Sequence, residues 1–299
     1  AQAALDRIEA LEETVNAFVL VDADSALKAA KASEERWANG APAGPVDGVP
    51  TTLKDLLLAK GWPTRRGSKA VDPAGPWNED APAVAQLRES GAVFLGKTTT
   101  PEFGWKGVTD SPLTGVTRNP WDTGRTPGGS SGGAAVAAAL GIGALHVGTD
   151  GGGSIRIPAG LTGVFGFKPS FGRVPAWPSA MAGTLSHVGP ITRTVEDAAM
   201  MMNVISRPDI RDWFSLPYEE RDYGEGLGDG VEGLRIAFSP TLSYVDIVDP
   251  EVADRVAAAA RALPIVCRTC WWVMVSPSIP PRARERPGNS PPRISIWRR

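Results

Sequence analysis

Two short clusters of glycine and serine are the parts of this sequence best suited to chemistry. Residues 128–133 read Gly-Gly-Ser-Ser-Gly-Gly, and residues 151–156 read Gly-Gly-Gly-Ser-Ile-Arg. Glycine lets backbone approach a ligand closely, and the N–H groups of a glycine turn can converge to hold an oxyanion. A serine after such a turn is placed as a nucleophile, which makes Ser154 a candidate. Because each cluster lies between strong structure-forming segments, we prefer this interpretation to a pair of flexible linkers.

A serine nucleophile needs a base, and the sequence offers two residue types. The two histidines, His146 and His187, lie in a predicted buried strand and an apolar loop, where we expect structural roles. A lysine can serve instead if burial lowers its pKa from about 10.4 towards neutrality. Lys54 fits, because it follows the run Val49–Leu53 and precedes Asp55 and three leucines. Spacing alone leaves open the commoner alternative, a solvated surface lysine.

Strand and helix patterns alternate around these residues. The turn-rich segment 98–131 and a loop at 149–153 carry most of the glycines and serines of interest. The alternation predicts an α/β fold with a mixed central β-sheet flanked by helices. Helices are predicted over residues 3–15, 24–37, 80–90, 134–140, 194–205 and 251–263, and strands over residues 17–21, 49–53, 92–95, 145–147 and 234–238.

The bulk composition excludes several classes of protein. A formal net charge of -2 gives no sign of a nucleic-acid footprint or a membrane-surface patch. The longest apolar run, Ala134–Leu145, is too short to span a bilayer, and the opening residues do not predict a secretory leader. Cys267 and Cys270 lack two further nearby ligands for zinc, so we interpret them as incidental thiols. We therefore expect a cytoplasmic protein without a metal.

A phosphate-loop pattern occurs between Gly91 and Thr98, but its context argues against nucleotide binding. The four residues between the two glycines are apolar and resemble a strand. A real phosphate loop is a flexible glycine turn that leads into a helix, and Pro101 follows too soon for one here. We expect an ordinary structural segment.

The composition changes abruptly after Leu263. Residues 264–299 contain seven prolines and seven arginines against one acid, Glu285, and no helical or strand period persists there. One interpretation is a disordered basic tail that binds a partner. We favour the other, a segment foreign to the fold that arises from a reading-frame shift. The sequence thus predicts a domain over residues 1–263, followed by an aberrant tail.

Several long, ordered motifs resemble those of the amidase-signature family. The resemblance covers essentially residues 1–263. It includes Lys54 and the segments 45–50, 100–104, 118–121, 128–133, 148–156, 166–169 and 189–194.

The resemblance implies a fold, a reaction and a set of site residues. The fold would be that of the family, with its C-terminal portion missing here. The reaction would be hydrolysis of a small-molecule amide through an acyl-enzyme, with no cofactor. The family's triad of serine, cis-serine and lysine matches Ser154, Ser130 and Lys54. The resemblance further implies an oxyanion hole from the N–H groups of Gly151, Gly152 and Gly153, and supporting roles for Ser131, Thr149, Asp150 and Arg156.

Alternatives remain within and outside this activity. The A subunit of an amidotransferase would take ammonia from glutamine and pass it to a partner protein bound to tRNA, but residues 100–105 and 184–187 look more like general amidases. An inactive truncated fragment is the other alternative, because the family's chains are longer and their remaining part completes the sheet and pocket. Trp105 and Trp177 are candidates for ligand contact or for packing. We expect no direct nucleic-acid or membrane partner, and leave a homodimer open.

Overall fold

The chain divides into two compact units, which are described separately. The structure is a computed structural model that describes residues 1–180, 182–231, 236–242, 244–266 and 272–274. The first unit is Ala1–Gly224 and the second is Glu225–Arg299. Cys267, Cys270 and most of the predicted tail lie outside the described residues.

A six-stranded mixed sheet forms the centre of the first unit, in the order β1-β3-β2-β6-β8-β7. Strand β2 runs parallel to both β3 and β6, whereas β1 and β8 run antiparallel to their neighbours. A separate hairpin joins β4 to β5. The strands are β1 Phe18–Val21, β2 Pro50–Lys54, β3 Val93–Thr98, β4 Asp110–Ser111, β5 Gly115–Val116, β6 Leu145–Asp150, β7 Phe165–Gly166 and β8 His187–Thr192.

Six α-helices accompany the sheet in the described residues of the first unit, and local sequence explains how two of them begin. Asp22 accepts a hydrogen bond from the N–H of Ser25 at the start of α2, and Thr194 accepts one from the N–H of Asp197 at the start of α6. Helix α1 buries Leu5, one of the apolar residues at helical spacing. The helices are α1 Gln2–Val15, α2 Ala23–Ala38, α3 Pro82–Glu89, α4 Gly132–Ala139, α5 Arg156–Thr162 and α6 Val195–Ile205.

Apolar clusters on the sheet account for the layered arrangement. One cluster joins α3 and α6 to strands β2 and β6, with Leu87, Leu53 and Met201 fully buried. Another joins α1 and α2 to β3 and α4. Helix α4 is buried from Gly132 to Ala138, which explains its almost continuous alanine composition. The predicted α/β fold, a mixed central sheet flanked by helices, is confirmed.

Several boundaries differ from the sequence-based predictions. The predicted loop at 149–153 is wrong for its first two residues, because β6 continues to Asp150 by pairing with β8. That pairing also places His187 at the start of β8 rather than in a loop. Strand β3 extends beyond Leu95 to Thr98, so the phosphate-loop pattern lies largely in a strand, as expected. Helix α5 and strands β7 and β8 were not predicted.

The second unit contains one helix and two short strands among its described residues. Helix α7 covers Pro250–Val266, which confirms the predicted helix at 251–263. Strands β9 (Ile236–Phe238) and β10 (Trp272–Met274) pair in parallel, so β10 falls within the predicted tail. The boundary at Leu263 and the frameshift remain predictions. Among the described helices of both units, none is long and apolar enough to cross a membrane.

Candidate active site

Lys54 lies at the edge of the sheet where β2 and β6 both end. The two strands are parallel, with Leu53 opposite Val147, so the ends of both strands meet there. The Lys54 side chain is fully buried. Its Nζ lies 2.7 Å from Ser130 Oγ, 2.8 Å from Ser131 Oγ and 2.9 Å from Thr149 Oγ1. The structure therefore brings four of the predicted site residues together.

Burial controls the protonation of Lys54. Desolvation lowers the pKa of Lys54 well below its usual 10.5, while the negative charge of Asp150 pulls it in the opposite direction. A protonated lysine donates three hydrogen bonds and accepts none, whereas a neutral amine can also accept one. Hydroxyl groups both donate and accept, so three hydroxyl neighbours suit a neutral Lys54. The site can therefore supply a proton acceptor.

The glycine cluster before α4 brings both serines to the lysine. Ser130 is buried and follows a cis peptide bond from Gly129. A side chain at position 129 would lie 2.7 Å from the backbone of Val108, so only glycine fits there. Ser131 occupies the N-cap position of α4, yet its hydroxyl makes no capping bond and contacts Lys54 instead. A serine at an N-cap usually accepts a hydrogen bond from the first turn of its helix, and Ser131 departs from this preference because its hydroxyl contacts Lys54.

Ser154 is half-buried and faces the same cavity as Ser130. The N–H of Ser131 donates to the Ser154 carbonyl over 3.1 Å, which fastens the two glycine-serine clusters to each other. Strand β6 leads into this turn, and α5 follows it directly. The serine thus lies between a strand that was predicted and a helix that was not.

Asp150 organises the turn that carries Ser154. Its buried carboxylate accepts hydrogen bonds from the N–H groups of Gly153 (2.8 Å) and Ile155 (3.1 Å) and two from the Arg156 guanidinium (2.9 and 3.0 Å). Burial alone would raise the pKa of Asp150, but these hydrogen bonds outweigh it and bring the pKa to about 2. Asp150 is therefore ionised at neutral pH.

The three glycines of the turn differ in the use of their N–H groups. The Gly153 N–H donates to Asp150, so it stabilises the turn and is not available to a ligand. Within the described part of the chain, the N–H groups of Gly151 and Gly152 meet no hydrogen-bond acceptor. Both glycines line the cavity with Ser154. Two of the three predicted N–H donors are thus free to receive a ligand oxygen.

A cavity of about 480 Å³ opens over Ser130 and Ser154. Its wall is largely apolar, and Trp105 and Trp177 both belong to it. Other apolar members are Leu56, Phe103, Ile157, Pro178, Leu185 and Val188. Its size and lining suit a small organic ligand with one polar reacting group.

The two histidines have surroundings different from those of Lys54. His146 is buried, Nδ1 lies 2.9 Å from Thr52 Oγ1, and burial lowers its pKa to about 3. His187 Nδ1 lies within 3.0 Å of the carbonyls of Asp150 and Leu185. His146 lies in a buried strand, as predicted, whereas His187 begins β8 instead of lying in the predicted loop. In the described residues, no group of three or more metal-ligating side chains could hold a metal ion.

A buried ion pair that was not predicted from the sequence lies next to the site. Lys97 Nζ lies 3.0 Å from a carboxylate oxygen of Asp55, the residue after Lys54. Burial lowers the pKa of Lys97 to about 8 and raises that of Asp55. The signal that could have revealed it is Lys97 itself, a charged residue within an apolar strand pattern.

These features define an α/β protein with a buried lysine–serine site at one edge of a mixed sheet. The family model described as Amidase matches residues 1–265. The chain belongs to the amidase family.

Similar proteins include both hydrolases and components of amidotransferases. The acylamidase of Rhodococcus erythropolis is 43% identical over 256 residues, which is 84% of this chain and 53% of that protein. The A subunit of the glutamyl-tRNA(Gln) amidotransferase of Syntrophus aciditrophicus is 41% identical over 86% of this chain and 53% of that protein. The crystal structure of a bacterial aryl acylamidase of the amidase signature family matches with a TM-score of 0.84 and 38% identity, covering 93% of this chain and 57% of that one. The chain spans about half the length of the curated relatives it matches.

Proposed function

We propose that this site hydrolyses the C–N bond of a small-molecule amide, with Ser154 as nucleophile, Ser130 as proton relay and Lys54 as base. The observation that carries the proposal is the 2.7 Å contact between Lys54 Nζ and Ser130 Oγ inside a buried site. Burial favours the neutral amine, which is the form that can accept a proton.

The reaction begins with transfer of two protons and formation of one bond. Ser154 Oγ bonds to the amide carbon as its proton passes to Ser130 Oγ, and the Ser130 proton passes to Lys54 Nζ. The carbonyl oxygen becomes an oxyanion that the N–H groups of Gly151 and Gly152 stabilise. The relay then returns a proton to the amide nitrogen as the C–N bond breaks. Water attacks the resulting ester by the same route and releases the carboxylic acid.

The remaining predicted residues support this machinery. Ser131 and Thr149 hold Lys54 Nζ through their hydroxyl groups. Asp150 and Arg156 hold the glycine turn, and the Gly153 N–H contributes by fixing that turn rather than by binding the oxyanion. No cofactor is needed for any of these steps.

Covalent labelling tests the nucleophile directly. A fluorophosphonate probe should label the full chain, and the Ser154→Ala variant should lose labelling because it lacks the attacking oxygen. Ser179→Ala is the matched control, since Ser179 lines the same cavity and should leave labelling intact. Full labelling of Ser154→Ala would overturn the assignment.

The A subunit of an amidotransferase is the second candidate, because several similar proteins carry that name. Its signature would be glutaminase activity that rises when partner proteins and charged tRNA are added. Turnover of a simple aryl amide without partners would favour the hydrolase, for which the acylamidase relative provides support. A chain that unfolds cooperatively but reacts with neither probe nor substrate would instead be an inactive fragment. Cytoplasmic location and a homodimer remain predictions.

A further inference from the structure

Arg66 is a cation without a counter-charge in the cavity wall. It is half-buried and lines the cavity, and in the part of the chain described here its guanidinium has no hydrogen-bond or ion-pair partner. The other cation of the wall, Lys106, already pairs with Asp110. No aspartate or glutamate lines the cavity among the described residues.

The backbone around Arg66 is fixed by the buried ion pair next to Lys54. Asp55 accepts hydrogen bonds from the N–H groups of Arg65 (3.1 Å) and Gly67 (3.3 Å), the two neighbours of Arg66. Lys97 balances the charge of Asp55. The Arg66 carbonyl also accepts a hydrogen bond from the Phe103 N–H over 2.8 Å. These contacts hold Arg66 at a φ of 55°, a conformation that non-glycine residues seldom adopt.

Such an arrangement favours an anionic ligand. A guanidinium presents several N–H donors in a planar fork that matches a carboxylate, and the pairing is strengthened where water is partly excluded. A half-buried arginine in an apolar wall loses part of its hydration, and a ligand carboxylate would replace the hydrogen bonds that the arginine made to water. Because the backbone is already fixed, binding orders little beyond the side chain.

We propose that Arg66 binds a carboxylate carried by the amide substrate, so that the cavity selects amides with a negative charge away from the scissile bond. This inference rests on the proposed amidase function. It adds a substrate class to a site whose chemistry was argued from other residues.

Binding to a non-reacting variant tests this selectivity. In the full chain carrying Ser154→Ala, calorimetry should give succinanilic acid a Kd about tenfold or more below that of its neutral carboxamide. Adding Arg66→Gln should remove this preference, because it should weaken binding of the acid and leave binding of the carboxamide unchanged. Arg66→Lys should restore part of it, and the matched control Lys106→Gln should retain it.

Two results would overturn the inference. One is an absence of preference for the acid in the Ser154→Ala chain. The other is equal binding of the acid with and without Arg66→Gln, at matched thermal unfolding temperatures. Neither depends on turnover, so both are distinct from failure of the proposed function, which fluorophosphonate labelling of Ser154 in the unmodified chain reports.

Discussion

Lys54 combines complete burial with contacts to three hydroxyl groups. A charged ammonium there would lose its hydration and gain only neutral partners, with Asp150 as the one charge that favours it. The neutral amine loses far less hydration free energy when it is buried. The burial of this lysine therefore determines its protonation state, which the residue type alone would not predict.

This predicts how the reaction responds to pH. The rate of fluorophosphonate labelling should fall as pH decreases through the Lys54 pKa, because the protonated amine cannot accept a proton. Since that pKa lies well below 10.5, labelling should reach its plateau on the acid side of that value. Lys54→Arg stays protonated and should lower the plateau rate about 10²–10⁴-fold. An unchanged pH profile in Lys54→Arg would contradict the role of Lys54 as base.

At the scale of elements, strand β6 and the start of helix α5 are joined through Asp150. Its carboxylate holds Gly153, Ile155 and Arg156, so the end of a strand, a glycine turn and a helix start share one acceptor. Three successive glycines are conformationally free, so the turn needs such contacts to keep one conformation. The order of the Ser154 turn thus depends strongly on one ionised side chain, together with the hydrogen bond from the Ser131 N–H to the Ser154 carbonyl.

We therefore expect a specific pH dependence of stability. A pKa lowered from 3.8 to about 2 gives stabilisation that is complete above about pH 4 and is lost as pH falls through 2. Asp150→Asn should lower the free energy of unfolding by up to about 2 kcal/mol at pH 6. Urea unfolding should show this difference shrinking between pH 4 and 2. A difference that stayed constant over that range would contradict the explanation that ionised Asp150 stabilises the Ser154 turn.

The elements also show what sequence patterns could and could not predict. Apolar residues at helical spacing predicted α1, and the glycine-serine clusters predicted residues that the fold brings together around Lys54. Strand β8 was missed because Gly189 and Pro190 interrupt its pattern, and its pairing partners are distant in sequence. Arg66 was missed for a related reason, since its role depends on the cavity and on Asp55. Contacts between residues that are distant in sequence cannot be predicted from the local spacing of residue types.

In the molecule as a whole, the candidate site and the described apolar core belong to one unit. The three apolar clusters fall within residues 1–223 when their partly buried members are counted. The proposed catalytic and supporting residues run from Lys54 to Arg156, and the cavity wall extends to Val188. The first unit, Ala1–Gly224, therefore contains both the chemistry and the packing that supports it.

This distribution predicts the outcome of a truncation. A chain that ends at Gly224 should keep a cooperative thermal transition and fluorophosphonate labelling at Ser154, because the clusters and site are retained. The measurements are near-ultraviolet circular dichroism during heating and labelling of the folded protein, with the 299-residue chain as reference. Loss of the cooperative transition would show that Glu225–Arg299 is required for the first unit to fold.

The burial of Lys54 has a consequence for how this amine meets other molecules. An unprotonated amine near neutral pH is ordinarily the first lysine to be acylated, glycated or captured by an aldehyde. Lys54 has no exposed surface, and the neighbours that surround it are hydroxyl oxygens rather than solvent. The buried environment that favours its neutral form also shields it from electrophiles. In the proposed relay a proton reaches it through Ser130, whereas its burial predicts protection from metabolites that modify exposed lysines.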